Sequence, residues 1–205
     1  MGPLSVAVVA GGASSRFGGI PKGLEMVGGR RIVDRVIDAA RHVASEVFLI
    51  SNSADAPMWT PDVRVVNDVR PERGSIVGIH TALATTNGPT LVVAWDMPFV
   101  STPLLSLIAD RDDDQYAVIP EGESGLEPFC ALYMPACLPM VECALDENDL
   151  RATALPHRFP SFSRIARAEI ERIGEPTRLF FNVNSADDLA RAEEIEKALE
   201  RSRPG

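Results

Sequence analysis

The feature that most constrains the fold is a set of short apolar runs, each followed by a stretch with helical spacing. Ser5 to Ala10 and Thr90 to Trp95 are apolar along nearly their whole length. A strand with apolar residues on both faces belongs in a sheet that is covered on both sides. Arg31 to Ala44, after the first run, carries apolar residues at helical intervals. The repeated order of strand and helix predicts an α/β fold with a mainly parallel sheet between helices.

Further strands and helices are expected in the same alternating order. Ligands of such sheets bind beyond the carboxyl ends of the strands, so the residues that directly follow each strand are the first candidates for a site. The predicted strands are Glu46 to Ile50, Val63 to Val66, Tyr116 to Ile119, Pro128 to Met134 and Leu179 to Val183, and the predicted helices are Ser75 to Thr85, Thr102 to Ala109, Ala136 to Leu145, Phe159 to Ala168 and Ser185 to Arg201.

Charge and composition narrow the classes of partner. The net charge of -9 argues against broad binding to nucleic acid or to an anionic membrane, which requires clustered cations. The longest apolar runs are shorter than the roughly 18 residues of a membrane span. The first residues lack the basic segment of a signal peptide, and the three cysteines show no CxxC spacing. We therefore expect a cytoplasmic protein with no nucleic-acid or membrane partner.

The loop after the first strand combines small residues with cations. Glycines let a ligand approach backbone N–H groups closely, and successive N–H groups form a concavity that binds anions. Serine hydroxyls and basic side chains add donors and positive charge, which a triphosphate requires. A glycine-rich turn with solvated cations explains the pattern almost equally well, and neither a Walker loop nor a GxGxxG fingerprint is present. The candidate phosphate-binding residues are Gly11, Gly12, Ser14, Ser15, Arg16 and Lys22.

Polar residues follow four other predicted strands or lie at their ends. Asp96 follows Thr90 to Trp95, where a carboxylate can hold Mg²⁺ against a triphosphate or simply form a turn. Asn52 and Asp68 end the second and third strands, where such residues are also common turn formers. Asn182 and Asn184 are two apart on a predicted strand, so we expect their amides to share one face and orient a phosphate, unless they only end the strand.

Several segments, in order along nearly the whole chain, carry a resemblance to a known family. Val9 to Gly18, followed by Lys22-Gly23-Leu24, is similar to LAGGxSxRMGxxKxLL of the molybdenum cofactor guanylyltransferase (MobA-like) family. Trp95 to Phe99 resembles its CDMPF segment, Glu127 to Tyr133 resembles EPLCALY, and Phe181 to Leu189 resembles FxNxNTPEDL. Many nucleotidyltransferases share the first signature, whereas its double glycine together with the late Asn-x-Asn is more specific.

This resemblance implies a three-layer α/β/α Rossmann-like nucleotidyltransferase fold, with residues 1–205 as one domain. It implies transfer of GMP from GTP to the molybdopterin-bound molybdenum cofactor, with release of pyrophosphate, and handover of the product to molybdoenzymes and their chaperones. The roles that it implies are catalysis by Arg16, Lys22 and Asp96, with Asp96 on Mg²⁺, nucleotide binding by Val9, Ala10, Gly11, Gly12, Ser14, Ser15, Lys22, Asn52, Asp68 and Asp96, and acceptor binding by Asn182 and Asn184.

The chain departs from the family pattern at three places. Pro21 stands where the family often has Asp, Trp95 replaces Cys, and Gly74 to Ile79 replaces GPLAGI near the expected base pocket. Transfer from CTP, or to a sugar phosphate, is therefore an alternative function. A nucleotide-binding regulator without catalysis is a further alternative, although such a protein would be expected to have lost Lys22 or Asp96, and both are present.

Overall fold

The computed structural model describes residues 2–11, 16–17, 20–72, 74–111 and 115–202, and of residues 16, 17 and 20 only the backbone. The strands are β1 (Ser5–Val9), β2 (Arg16–Phe17), β3 (Ile20–Pro21), β4 (Met26–Val27), β5 (Arg30–Arg31), β6 (Glu46–Ile50), β7 (Arg64–Val66), β8 (Thr90–Ala94), β9 (Ala117–Pro120), β10 (Cys130–Tyr133) and β11 (Ser163–Ile165). The α-helices are α1 (Ile32–Arg41), α2 (Ala56–Trp59), α3 (Ile76–Thr85), α4 (Thr102–Ala109), α5 (Leu138–Asp146), α6 (Arg167–Ile170), α7 (Pro176–Leu179) and α8 (Ala186–Arg201).

The central sheet is mainly parallel, as the apolar strands predicted. Among the described residues its seven strands follow the order β11-β9-β10-β8-β1-β6-β7. β1 lies in the middle and pairs in parallel with both β6 and β8, so that Val9 stands opposite Ile50 and Ala94. β10 is antiparallel to β8 and to β9. The carboxyl ends of β1, β6, β7 and β8 therefore meet at one edge, where the start of β10 joins them.

Helices cover both faces of this sheet and confirm the three-layer α/β/α arrangement. Val6 and Val8 of β1 belong to an apolar cluster that includes α1, α4 and α8, whereas Ala7 and Val9 belong to a cluster with α3 and α5. Alternate residues of one strand thus meet two different helix layers. This double burial explains why β1 is apolar throughout instead of alternating with polar residues.

Two predicted helices agree closely with the structure. α4 spans Thr102–Ala109, as predicted, with Pro103 in its first turn, where the missing N–H costs nothing. Ser185 caps α8, because its hydroxyl accepts a hydrogen bond from the Asp188 N–H at 3.2 Å. No helix within the described ranges has the length and apolarity to cross a membrane.

The predicted helix from Phe159 to Ala168 is wrong. A 3-10 helix spans Ala152–Arg158, and the following residues form β11, which pairs in parallel with β9. Within β11 the central Arg164 is exposed while its neighbours Ser163 and Ile165 are buried, which is the two-residue period of a strand. The segment is too short for its apolar residues to separate a helical period from a strand period.

The predicted strand from Leu179 to Val183 is also wrong. Leu179 ends α7, and the N–H of Phe180 donates to the carbonyl of Pro176, so the segment begins as a helical turn. Leu179, Phe180 and Val183 are buried against the α1–α4 layer. Their apolarity reflects this packing rather than strand pairing. The segment crosses the carboxyl edge of the sheet, where Val183 N–H donates to the carbonyl of Asp96 at 2.9 Å.

Candidate active site

A cavity of about 850 Å³ opens at the carboxyl edge of the parallel strands. Its wall includes residues that follow β1, β6, β7 and β8, in agreement with the rule that ligands bind beyond the strand ends. The wall also includes Glu127 to Phe129, the residues that directly precede the antiparallel strand β10. The site therefore extends across five neighbouring strands.

Seven of the predicted binding residues line this cavity. Gly12, Ser14 and Ser15 lie outside the described residues, and the side chain of Arg16 lies outside them too, so the phosphate-binding role of the loop stays a prediction. The seven that the structure brings together are Val9, Ala10, Gly11, Asn52, Asp68, Asp96 and Asn182.

Lys22 and Asn184 form the polar contact beside Asp96. Lys22 is the first residue of a 3-10 helix and is only 4% exposed. Its side chain donates a hydrogen bond from Nζ to Oδ1 of Asn184 at 2.7 Å. Burial raises the pKa of the Asp96 carboxyl, and the positive charge of Lys22 opposes that shift. A cation and a carboxylate from distant parts of the sequence thus occupy one poorly hydrated corner, where electrostatic interactions are stronger than in water.

The prediction that Asn182 and Asn184 share one face of a strand is wrong, because the segment that carries them joins no strand. Asn182 lines the cavity, and its Nδ2 donates to the carbonyl of Phe180 at 2.9 Å. The Asn184 amide instead holds the ammonium of Lys22. The two amides therefore have different surroundings: one is exposed to the cavity, and the other positions a cation.

Asn52 and Asp68 lock the ends of β6 and β7 together. Asn52 Nδ2 donates to Asp68 Oδ2 at 2.7 Å, and the Asp68 N–H donates to Asn52 Oδ1 at 2.8 Å. Thr81 of α3 donates to the other carboxylate oxygen of Asp68 at 3.2 Å. Each carboxylate oxygen keeps a second lone pair, so Asp68 can still accept from a hydroxyl or an N–H group of a ligand.

The donor set at Asp96 fits a magnesium ion that is shared with a ligand. Within the described ranges, no three His, Cys, Asp or Glu side chains converge into a metal cage. Mg²⁺ is commonly bound by one or two carboxylates together with substrate phosphates and water, rather than by protein alone. The Asp96 carboxylate, in a cavity with room for phosphates, fits that mode of binding.

The stacked pair Trp59 and Trp95 could not be predicted from any sequence pattern. Their rings are 5.5 Å apart between centroids, at an angle of 27°, and both line the cavity. A Cβ at position 23 would overlap with the Trp95 indole, so Gly23 lets the turn after Lys22 pack directly on that ring. The large residue in place of the family's usual cysteine thus supports the turn that carries the Lys22 ammonium.

The departure at the second glycine-bearing loop has a structural role as well. Ser75 stands where the family usually has proline, and its hydroxyl donates to the carbonyl of Leu150 at 2.9 Å. The same hydroxyl accepts from the N–H of Ala152 at 3.0 Å. The start of α3 is therefore fixed to the segment that precedes β11, and this contact joins two walls of the site.

Glu127 is a further candidate, and in the sequence it stands out only as the first residue of the motif from Glu127 to Tyr133. Burial raises its pKa to about 7. Within the part of the chain that the structure describes, its carboxyl has no hydrogen bond or ion pair. It lines both the main cavity and an adjoining hollow of about 500 Å³. The predicted strand began at the next residue, but the reversed direction of β10, which brings Glu127 to the site, could not be read from the pattern.

Replacing Glu127 with glutamine is expected to stabilise the protein at alkaline pH. The folded-state pKa lies above the ordinary value of 4.5, so the folded chain retains a proton that the unfolded chain releases between these values. Through this carboxyl, the free energy of unfolding therefore falls as pH rises from 4.5 to about 7, and the full destabilisation by Glu127 is present above that range. The substitution should add about 2 kcal/mol to the unfolding free energy at about pH 8 and much less at about pH 5. Urea unfolding at both pH values measures this, and an equal effect at both would contradict the prediction.

Comparison with known proteins identifies the family of the chain. The family model for the MobA-like NTP transferase domain matches residues 6–158. The chain is 30% identical to a molybdenum cofactor guanylyltransferase of Desulfosudis oleivorans, covering 93% of this chain and 95% of that protein. It is 33% identical to a probable molybdenum cofactor guanylyltransferase of Natronomonas pharaonis, covering 95% and 98%.

A solved structure agrees with the sequence relatives. The molybdopterin-guanine dinucleotide biosynthesis protein A of Archaeoglobus fulgidus superposes with a TM-score of 0.80 at 26% identity, covering 95% of this chain and 99% of that one. The family match covers β1 to β10 and therefore includes the strands that surround the cavity. The chain belongs to the MobA-like NTP transferase family and is a nucleotidyltransferase.

Proposed function

We propose that this protein transfers GMP from GTP to the phosphate of a molybdopterin acceptor, releasing pyrophosphate and forming a guanine dinucleotide. The observation that carries the proposal is the continuous cavity that contains Asp96 and has polar residues at both ends, with the Lys22 ammonium close to Asp96. The names of the relatives supply the donor and the acceptor. A cavity of this length suits two substrates that react at its centre.

The donor half of the proposed site lies over β1, β6 and β7. We assign Asn52 and Asp68 to the base or ribose of GTP, because they follow β6 and β7 at one end of the cavity. We assign the triphosphate to the loop that begins at Gly11 and to Lys22, which lie nearer β8. Gly12, Ser14, Ser15 and Arg16 share this role in the proposal on the strength of the motif alone.

The proposed reaction is a direct displacement at phosphorus. An oxygen of the acceptor phosphate bonds to the α-phosphorus of GTP, while the bond from that phosphorus to the oxygen bridging the β-phosphate breaks. Pyrophosphate leaves with that oxygen and the bonding electron pair, and no covalent enzyme intermediate forms. Lys22 and Arg16 hold the phosphates in line and offset their charge, and Mg²⁺ bound by Asp96 would neutralise charge on the same oxygens.

The assay that tests this function compares nucleotides in the presence of molybdenum cofactor. With GTP we expect stoichiometric release of pyrophosphate and a product whose mass equals that of the acceptor plus GMP. Faster transfer from CTP than from GTP would show that CTP is the preferred donor. Tight GTP binding without any pyrophosphate release would favour the non-catalytic regulator instead.

Handover of the product and the cellular compartment are also part of the proposal. Cys130, Cys137 and Cys143 are all free thiols, and burial raises the pKa of Cys137 to about 12, so that thiol stays protonated and unreactive. Free thiols fit a reducing compartment such as the cytoplasm. There the product would pass to molybdoenzymes or their chaperones.

A further inference from the structure

We propose that the Glu127 carboxylate binds the N–H edge of the acceptor's pterin ring, which consists of the 2-amino group and the adjacent ring nitrogen. This inference rests on the function proposed above, because that function supplies the pterin. It assigns to the acceptor a specificity residue that lies outside the phosphate-binding loop.

The strand order places Glu127 on the acceptor side. Neighbouring strands lie about 4.8 Å apart, so the start of β10 is roughly 19 Å from the end of β7 across the sheet order β10-β8-β1-β6-β7. Asn52 and Asp68 lie at the far end of this row, and Asp96 follows β8, next to β10. A nucleoside that occupies the β6–β7 end leaves the β10 end of the same cavity for the second substrate.

The space at that end exceeds what a phosphate requires. The hollow of about 500 Å³ shares Ser75, Glu127, Pro128 and Phe129 with the main cavity and continues it along the segment from Leu150 to Thr153. Phe129 and Pro128 offer apolar surfaces on which a planar ring can lie. A bicyclic ring attached to the reacting phosphate would occupy this extension while the phosphate stays near Asp96.

The charge of Glu127 decides which part of the acceptor can lie against it. A carboxylate repels phosphate groups, so neither the triphosphate nor the acceptor phosphate suits this position. Two neighbouring N–H donors on a ring match the two oxygens of a carboxylate, and such charge-assisted pairs are stronger than neutral ones. Pterin presents that pair of donors.

The carboxyl is also prepared for a ligand rather than for a protein partner. A Cβ at position 122 would overlap with the Glu127 carboxyl, so Gly122 leaves the space that the carboxyl occupies. Among the described residues no cation or hydrogen-bond donor satisfies it, although the residue is half-buried. Half-buried carboxyls without protein partners, whose pKa is raised by desolvation, are concentrated at functional sites.

The test compares pterin with lumazine, which carries a carbonyl oxygen in place of the 2-amino group. Binding of 6-hydroxymethylpterin and of the matching lumazine is measured by calorimetry at about pH 8, above the Glu127 pKa of about 7, in the presence of a non-hydrolysable GTP analogue. The natural protein should prefer the pterin by about 10- to 100-fold. Glu127→Gln should remove most of that preference and leave the affinity for the GTP analogue unchanged. Glu123→Gln, an exposed change in the same loop, should retain the preference.

The outcomes separate this inference from the proposed function. If the natural protein transfers GMP but shows no preference for pterin, or if Glu127→Gln keeps the preference, the assignment of Glu127 is wrong and the function stands. If Glu127→Gln instead lowers the affinity for the GTP analogue, the carboxylate binds guanine, which has the same N–H edge. The assignment of Glu127 to the acceptor is then wrong. Absence of transfer by the natural protein would contradict the proposed function itself.

Discussion

Replacing Asp96 with asparagine is expected to lower kcat for GMP transfer by about 10³-fold, because a single carboxylate holds the proposed metal in this cavity. Asparagine keeps the shape of the side chain and its backbone contact with Val183, so the fold should persist. It removes the charge that binds Mg²⁺ between the protein and the phosphates. The Mg²⁺ concentration required for half-maximal activity should therefore rise as well.

The measurement is pyrophosphate release at several Mg²⁺ concentrations, with GTP binding followed separately. Asp110→Asn is a matched control, because Asp110 is exposed at the end of α4 and does not line the cavity. Binding of GTP should weaken far less than turnover. Transfer by Asp96→Asn at the natural rate, with an unchanged Mg²⁺ requirement, would exclude Asp96 as the metal ligand.

Replacing Lys22 with methionine is expected to lower kcat by about 10²- to 10³-fold, since it removes a fixed positive charge from a poorly hydrated site. Lys22→Arg should fail to restore activity, because the side chain is buried and its turn packs against Trp95. Asn184→Ala should have a smaller effect of about 10-fold, since it removes one hydrogen-bond partner of the ammonium and keeps the charge.

Steady-state kinetics with GTP distinguish these effects. Lys197→Met, an exposed change on α8, is the control that removes one cation from the surface. The Asn184 variant should also respond to ionic strength more than the natural protein, because its ammonium loses one of the contacts that position it. Equal activity of Lys22→Met and Lys197→Met would contradict the role of Lys22 in catalysis.

The sequence predicted those parts of the fold that depend on burial along a single element. β1 and β8 are apolar because both of their faces meet helices, and α4 begins where Thr102 and Pro103 indicate a helix start. The failures fall on short segments whose apolar residues serve another purpose. Leu179 to Val183 is apolar because it covers the α1–α4 layer, and a pattern of burial alone cannot separate such a segment from a strand.

The residues of the candidate site also fall into those that could be predicted from the sequence and those that could not. Asn52, Asp68 and Asp96 were predictable, because parallel strands bring the residues that follow them to one edge. Glu127 and Trp59 were not, because the direction of β10 and the stacking on Trp95 depend on tertiary structure. The different surroundings of Asn182 and Asn184 could not be predicted either, because Asn184 contacts Lys22, which lies far from it in sequence. The roles of the site residues, like the single-domain organisation, stay predictions.

The antiparallel direction of β10 lets the two halves of the site change their size independently. Four parallel strands present the connections that follow them, and each of these leads into the crossover that returns the chain to the sheet. β10 presents the hairpin that precedes it, closed by a hydrogen bond from Gly122 N–H to the carbonyl of Gly125 at 2.8 Å. A longer or shorter hairpin would reshape only the outer wall, beside Glu127. Relatives that accept a different second substrate could therefore arise by changes in hairpin length, with the crossovers around the nucleotide left intact.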